Sequence, residues 1–490
     1  MYRKENESPK SYKQRVLDSV SPSYCGAKWY NATIWLGSGH TASCHHPPPH
    51  KIPLSEVQKD PSALHNTFHK MVMRAQMLHG ERPKECEYCW KIEGLSKNNI
   101  SDRIHKSEMF KDEDHQKAKS AAWNTRAVPR LLEIAFDRKC QFACSYCNAG
   151  YSTRWAQEIK KNGPYQNLRS DGAGAYWHTG DWAETNSVGD ENPFVQAFWK
   201  WWPELANFVE ELKITGGEPL VSPHFWKFLD LIRDHVPQES MLLSINSNLG
   251  VEPQTIEKLL NKLEPVQKIG IYTSCDATGK LAEYIRDGLN YDQYLNNLKF
   301  LLESRRLSRL QIMITVSNLA LYGLTEWLDQ LFALKEIYGH AMPAFGFTIV
   351  RFPSFMSPAT LPYFLRQERA EHIRKWYEQK IQKHHFLPNE SETVLRLIEY
   401  LEEVESPHQK ASDLEARQVD FKMFFQQYDQ RRGLDLKSVV PQAVYDWIQS
   451  LPSYSSPQPE VLHRSDASEG YHNEKEIEDI AKRLGLSRDR

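Results

Sequence analysis

Three cysteines crowded into eight residues, Cys140-Gln-Phe-Ala-Cys144-Ser-Tyr-Cys147, restrict this chain more than any other stretch does. They follow the apolar run from Leu131 to Phe136, which reads as a buried strand. With eight cysteines among 490 residues, chance would produce the C-x3-C-x2-C spacing about 0.002 times. Three thiolates this close reach three corners of an iron–sulfur cube and leave the fourth iron without a protein ligand. A site that only stored electrons would carry four thiolates. The open corner is where another molecule coordinates.

About 70 residues later a second apolar strand, Leu212 to Thr215, runs into Gly216-Gly217-Glu218-Pro219. Two glycines admit close approach of a ligand to backbone carbonyls, and a carboxylate matches an ammonium. In this order, each after a strand, the two motifs resemble those of the radical S-adenosylmethionine (SAM) superfamily. The resemblance implies a 4Fe-4S cluster on Cys140, Cys144 and Cys147 that chelates SAM through its amino and carboxylate groups. It also implies that Gly216, Gly217, Glu218 and Pro219 line the methionyl amino group and that Tyr146 packs near the adenine. Ser274 and Asp276 at a strand end, with Arg286 after them, would hold the ribose and carboxylate. Asn248 stands where the family shows Thr-Asn-Gly and would face the cofactor. Read from the residues alone, Asn248 and Arg286 serve equally as a turn or a strand-end cap, and Cys275 is a buried strand thiol.

Strands are expected at 130–136, 212–215, 241–246, 268–273, 310–316 and 344–350. Helices are expected between them at 225–235, 253–263, 291–304 and 325–338. Six strands in alternation with crossover segments make an α/β fold with a parallel sheet, and the resemblance implies a partial (βα)6 TIM-like barrel. The motifs fall at the C-terminal strand ends, where such barrels react. Helices expected at 365–384, 390–405, 421–432 and 439–450 form a C-terminal region.

Upstream, Cys25, Gly39 and Cys44 frame an aromatic, β-branched hairpin as C-x13-G-x4-C, and Cys86-Glu-Tyr-Cys89 follows a helix expected at 64–80. This set resembles a twitch (SPASM-like) domain, which holds an auxiliary 4Fe-4S cluster. Such domains usually follow the barrel; here the set precedes it. Four thiolates also suit structural zinc, which stays open as the alternative. His40, His45, His46 and His50 are read as loop or substrate-facing residues beside those four thiols.

Lysine plus arginine (61) nearly equals aspartate plus glutamate (63), so no bulk field draws nucleic acid or a membrane surface. The N-terminus has no apolar leader segment and no run approaches 18 apolar residues. Grouped thiols fit metal ligation in a reducing cytoplasm better than a disulfide framework. The domain reading is a flexible 1–20, an auxiliary unit at 21–95, a linker at 96–128, a barrel at 129–352, a helical region at 353–451 and a mostly flexible tail at 452–490. Within the barrel, the Gly-, Asn- and Trp-rich stretch 163–193 reads as a lid or substrate loop.

The expected function is that of a radical SAM enzyme, oxidoreductase- or transferase-like, which cleaves SAM reductively to a 5′-deoxyadenosyl radical and abstracts hydrogen from a substrate. A peptide or protein is the first choice of substrate and a small sugar or nucleotide-like molecule the alternative. An electron donor such as flavodoxin or ferredoxin is implied. A non-catalytic zinc and iron–sulfur binding protein is the reading from another class. No catalytic acid or base is named by the sequence.

Overall fold

The computed structural model describes residues 3–96, 99–180, 191–339, 342–403, 411–454 and 473–488. Its centre is a nine-stranded sheet whose longer strands bury aliphatic or aromatic residues at alternate positions. The strands are β1 (Asn31–Trp35), β2 (His40–Ala42), β3 (His50–Lys51), β4 (Leu131–Ala135), β6 (Glu211–Thr215), β7 (Leu242–Ser247), β8 (Lys268–Ser274), β10 (Leu307–Val316) and β11 (Ala344–Ile349). They lie in the order β11-β10-β8-β7-β6-β4-β1-β2-β3. The six expected strands β4, β6, β7, β8, β10 and β11 form consecutive parallel pairs. Helices Pro223–Asp234, Pro253–Lys262, Tyr291–Glu303 and Leu324–Tyr338 separate them, each within two residues of its expected bounds. The fold is therefore α/β with a large parallel sheet. Among the described residues the sheet ends on β11 and β3, and those two strands do not pair.

One face of this sheet packs on the helices through Ile34, Ile134, Ile214, Ile245, Ile271 and Ile312, all fully buried. The opposite face is polar and half-exposed, as strand alternation requires. One cross-strand row on it runs Thr33, Glu133, Lys213, Ser244.

The hairpin strand β1 does not stand apart. It pairs in parallel with β4 over five residues, Asn31 with Leu131 through Trp35 with Ala135. Ala32, Ile34, Leu36 and Ile52 of the hairpin belong to the same core as the parallel strands. The expected boundary between an auxiliary unit and a barrel thus falls inside a continuous sheet.

Two segments read as loose are packed. Residues 9–20 are helical and bury Tyr12, Val16 and Leu17. The stretch expected as a linker, 96–128, forms helices Asp102–Ser107 and Asp112–Ser120 and gives Ile104, Phe110 and Ala118 to the core around Cys25 and Cys89. Its few apolar residues fall on the inner side of each short helix, so high charge concealed a folded segment. In the tail, 455–472 lies outside the described residues. Helix Glu474–Arg483 docks Ile477 and Ala481 on Phe68, Val72 and Met73 of helix Phe68–Leu78. An Arg483–Glu81 ion pair closes that contact.

The stretch read as a lid, 163–193, includes 181–190, which lies outside the described residues. The part before it is packed: Tyr165, Leu168, Ala173 and Tyr176 are buried. Tyr165 stacks on Phe424 at 4.8 Å between ring centroids. Phe424 belongs to helix Ala411–Arg432, which begins ten residues before its expected start because the polar 411–420 segment lacks an apolar period. Phe198, Trp201 and Trp202 of helix Pro193–Leu205 are buried packing residues. Among the described residues no helix is long and apolar enough to cross a membrane.

Candidate metal and cofactor site

The cysteine loop leaves the C-terminal end of β4, and each side of it is tied down. Its middle forms β5 (Ala143–Cys144), antiparallel to β9 (Arg286–Asp287), with Cys144 opposite Arg286. Three successive loop carbonyls accept hydrogen bonds from aromatic side chains. Tyr428 Oη donates to Ala143 at 3.4 Å, Trp155 Nε1 to Cys144 at 2.9 Å and Tyr176 Oη to Ser145 at 2.7 Å. These rings pack on one another and on Phe424. Arg432 lies over the Trp155 and Tyr428 rings and bonds Asp287, Tyr165 and Glu158. Helices Thr153–Asn162 and Ala411–Arg432, with the packed residues 165–176, are therefore the scaffold of the loop. The aromatic residues at 165, 176, 424 and 428 gave no motif in the sequence; only the structure reveals them.

Gly216 and Gly217 allow a close approach of backbone to backbone. A Cβ on Gly217 would lie 2.3 Å from the Lys139 carbonyl oxygen and 2.5 Å from that of Arg138. Gly216, at φ +120°, would bring a Cβ to 2.5 Å from the Asp137 oxygen. The Gly217 amide donates to Asp137 at 3.2 Å and the Glu218 amide to Lys139 at 2.7 Å. The glycines thus allow this turn to lie directly against the backbone that leads into Cys140.

Glu218 is buried, and its carboxylate caps the turn Pro219–Val221 by accepting from Leu220 N at 3.0 Å. It also accepts from Ser247 Oγ at 2.8 Å and Asn248 N at 2.5 Å. Burial pushes this carboxyl up to about 7 against the pull of those three donors. Asn248 Oδ1 accepts from Gly250 N and Gln141 Nε2, and its Nδ2 lies 3.8 Å from Cys140 Sγ.

Three of the expected cofactor residues converge. Tyr146 Oη donates to Asp276 Oδ2 at 2.6 Å and accepts from Arg286 Nη1 at 2.5 Å; Arg286 Nη1 also lies 3.3 Å from Asp276 Oδ2. The Thr315 amide holds the other Asp276 oxygen at 2.8 Å. Burial opposes the Arg286 charge, yet Tyr146, Cys144 and Asp276 hold its pKa well above the usual value. Arg286 Nε is buried and has no acceptor. Ser274 ends β8 half-buried. Cys275 is fully buried and donates to the Ala277 carbonyl, a core thiol as read. Burial raises the thiols of Cys140, Cys144 and Cys147, Cys140 to about 12.

Cys25, Cys44, Cys86 and Cys89, spread over 65 residues of sequence, line one cavity of about 390 Å³, its mouth included. Lys28, Arg103 and Lys106 line it too, and Lys106 Nζ lies 3.2 Å from Cys44 Sγ. Lys28 is buried and ion-paired with Glu85. The sequence reading missed these cations, two of which lie in the supposed linker. Burial raises the Cys25, Cys86 and Cys89 thiols, Cys89 to about 11. All eight cysteines are unpaired. His40 bonds Ser38, and His50 stacks on His69 at 4.0 Å. His45 and His46 meet Asp102 beside the cavity, with ligand atoms within 4.8 Å of one another. Among the described residues no three cysteine sulfurs lie that close together.

No family model matches the sequence, and no curated protein does. Two crystal structures of Streptococcus suis SuiB, one of them bound to S-adenosylmethionine, align with the chain at 13% identity and a TM-score of 0.34. The alignment covers 65% of this chain and 64% of theirs, so the chain spans less than two thirds of the SuiB structures it matches.

Proposed function

We propose that this protein is a radical SAM enzyme with an N-terminal twitch-like auxiliary centre and a partial-barrel arrangement of its parallel strands. The observation that carries the reading is the three-cysteine loop at the C-terminal end of the first strand of a parallel series. The Gly-Gly-Glu-Pro turn is bonded onto that loop, and Tyr146, Asp276 and Arg286 gather beside it. Cys140, Cys144 and Cys147 would hold a 4Fe-4S cluster, and Cys25, Cys44, Cys86 and Cys89 a second one.

Sulfur spacing favours clusters over zinc. Four thiolates about 2.3 Å from one zinc ion stand about 3.8 Å apart, whereas no three of these sulfurs lie within 4.8 Å of one another. Arg286, whose buried Nε has no acceptor, offers the carboxylate of SAM a charge-assisted partner. Tyr146 and Asp276 fix the guanidinium for that contact, and Glu218 braces Asn248 beside Cys140. Lys106, 3.2 Å from Cys44 Sγ, would offset part of the negative charge of the auxiliary thiolates.

When bound, the cluster and SAM supply the 5′-deoxyadenosyl radical that takes hydrogen from the substrate. The substrate is a peptide or protein, with a small sugar-like molecule as the alternative; flavodoxin or ferredoxin in the cytoplasm would supply electrons. Anaerobic reconstitution tests this reading. It should load about eight irons per chain and form 5′-deoxyadenosine with dithionite, and Cys144→Ala should abolish that product. Wild-type protein that loads iron yet forms no 5′-deoxyadenosine would refute it.

A further inference from the structure

Ser43 lies between β2 and Cys44 and lines the four-cysteine chamber. It is 2% exposed, and among the described residues its hydroxyl has no hydrogen-bond partner. Its carbonyl accepts from Asn31 Nδ2 at 2.7 Å, so the backbone here is tied down and only the side chain is left over. A serine hydroxyl carries one donor and two acceptor sites, and burying it unpaired works against folding. In a native interior such a group marks a functional role or a partner that the site takes up.

The lining of the chamber says what kind of partner this is. Among the described residues no carboxylate lines it. Its three cations are donors themselves, and each is engaged: Lys28 with Glu85, Arg103 with Glu93, and Lys106 with Cys44 Sγ and His45 Nδ1. The remaining acceptors of such a wall are its sulfurs and whatever they bind. Donors already gather on this side, where Cys44 Sγ accepts from His46 N at 3.4 Å and lies 3.2 Å from Lys106 Nζ. Hydrogen bonds to sulfur set the reduction potential of an iron–sulfur centre, because reduction adds negative charge that a donor counters.

We propose that the Ser43 hydroxyl donates a hydrogen bond to a sulfur of the auxiliary 4Fe-4S centre and so raises its reduction potential. The inference rests on the reading above that Cys25, Cys44, Cys86 and Cys89 hold such a cluster. Ser43 is a positioning residue and not a ligand, since four thiolates complete the cube.

The test uses the full chain carrying Cys140→Ala, Cys144→Ala and Cys147→Ala, in which only the auxiliary centre loads, with about four irons. Ser43→Ala is compared with this parent by potentiometric titration with dithionite, read by electron paramagnetic resonance. At a fixed potential the reduced-to-oxidised ratio should fall at least about threefold, a midpoint lowered by about 30 mV for one electron, at unchanged iron content. In the otherwise wild-type, metal-free chain, Ser43→Ala should unfold at the same or a higher urea concentration, because it removes an unpaired hydroxyl. An unmoved or raised midpoint, or loss of iron from the variant, would overturn the inference. So would earlier unfolding of metal-free Ser43→Ala, which would mean that the hydroxyl has its partner without the cluster. A parent chain that takes up zinc and no iron refutes the cluster reading itself, and metal analysis reports that before any midpoint is measured.

Discussion

Replacing Gly217 by alanine separates two uses of a glycine. The added methyl would meet two backbone oxygens, Lys139 O at 2.3 Å and Arg138 O at 2.5 Å, and neither can swing aside as a side chain would. Overpacking of this kind costs about 1–3 kcal/mol. Separating the strands of backbone also weakens the amide bonds from Gly217 to Asp137 and from Glu218 to Lys139, at about 1 kcal/mol each. The stiffer unfolded chain returns about 0.4–1 kcal/mol. The net loss is about 2–4 kcal/mol, a large share of a typical stability of about 5–15 kcal/mol. Urea unfolding of metal-free protein, followed by tryptophan fluorescence, measures it without any cofactor. Iron content after anaerobic reconstitution should fall in parallel, because the displaced backbone leads directly into Cys140. If Gly217→Ala unfolds within about 0.5 kcal/mol of the wild type and loses only SAM affinity, the glycine serves the ligand, and the packing argument is wrong.

Tyr428→Phe removes the hydroxyl that the Ala143 and Tyr284 carbonyls share and should cost about 1–3 kcal/mol in the same unfolding assay; an unchanged midpoint would mean the cage holds the loop by ring packing alone. Glu218 should make stability depend on pH. Its folded pKa, about 7, lies above the 4.5 usual for a glutamate, so its stabilising effect is complete below the unfolded value and fades as pH rises through the folded one. Metal-free protein should lose about 3 kcal/mol between those limits, and Glu218→Gln should remove that slope; equal slopes would show that the carboxylate stays ionised on its three donors.

The parallel sheet was readable because each strand is a short run of Leu, Ile and Val and each intervening helix has an apolar period; bounds differ by only a few residues, the most at the start of β10. The cysteine positions and the residues that gather near them were readable from motif and order, since Tyr146, Asp276 and Arg286 do meet. What the glycines touch was not readable, because Asp137 to Lys139 come into contact only through the β4–β6 pairing. Nor was the aromatic cage: Trp155, Tyr176 and Tyr428 are spread over 274 residues and share no period. Residues 96–128 misled for a simpler reason, that charge on the outer faces of short helices looks like a spacer.

The parallel ladder between β1 and β4 has a mechanical consequence. Adjacent strands are fixed at about 4.8 Å, so the cysteine hairpin and the three-cysteine loop hang from neighbouring rungs rather than from two bodies joined by a hinge. Their mutual separation is part of the sheet and cannot breathe without breaking backbone bonds. With clusters on both cysteine sets, as proposed above, traffic between them would be governed by what fills the space between them, not by the opening and closing of a joint.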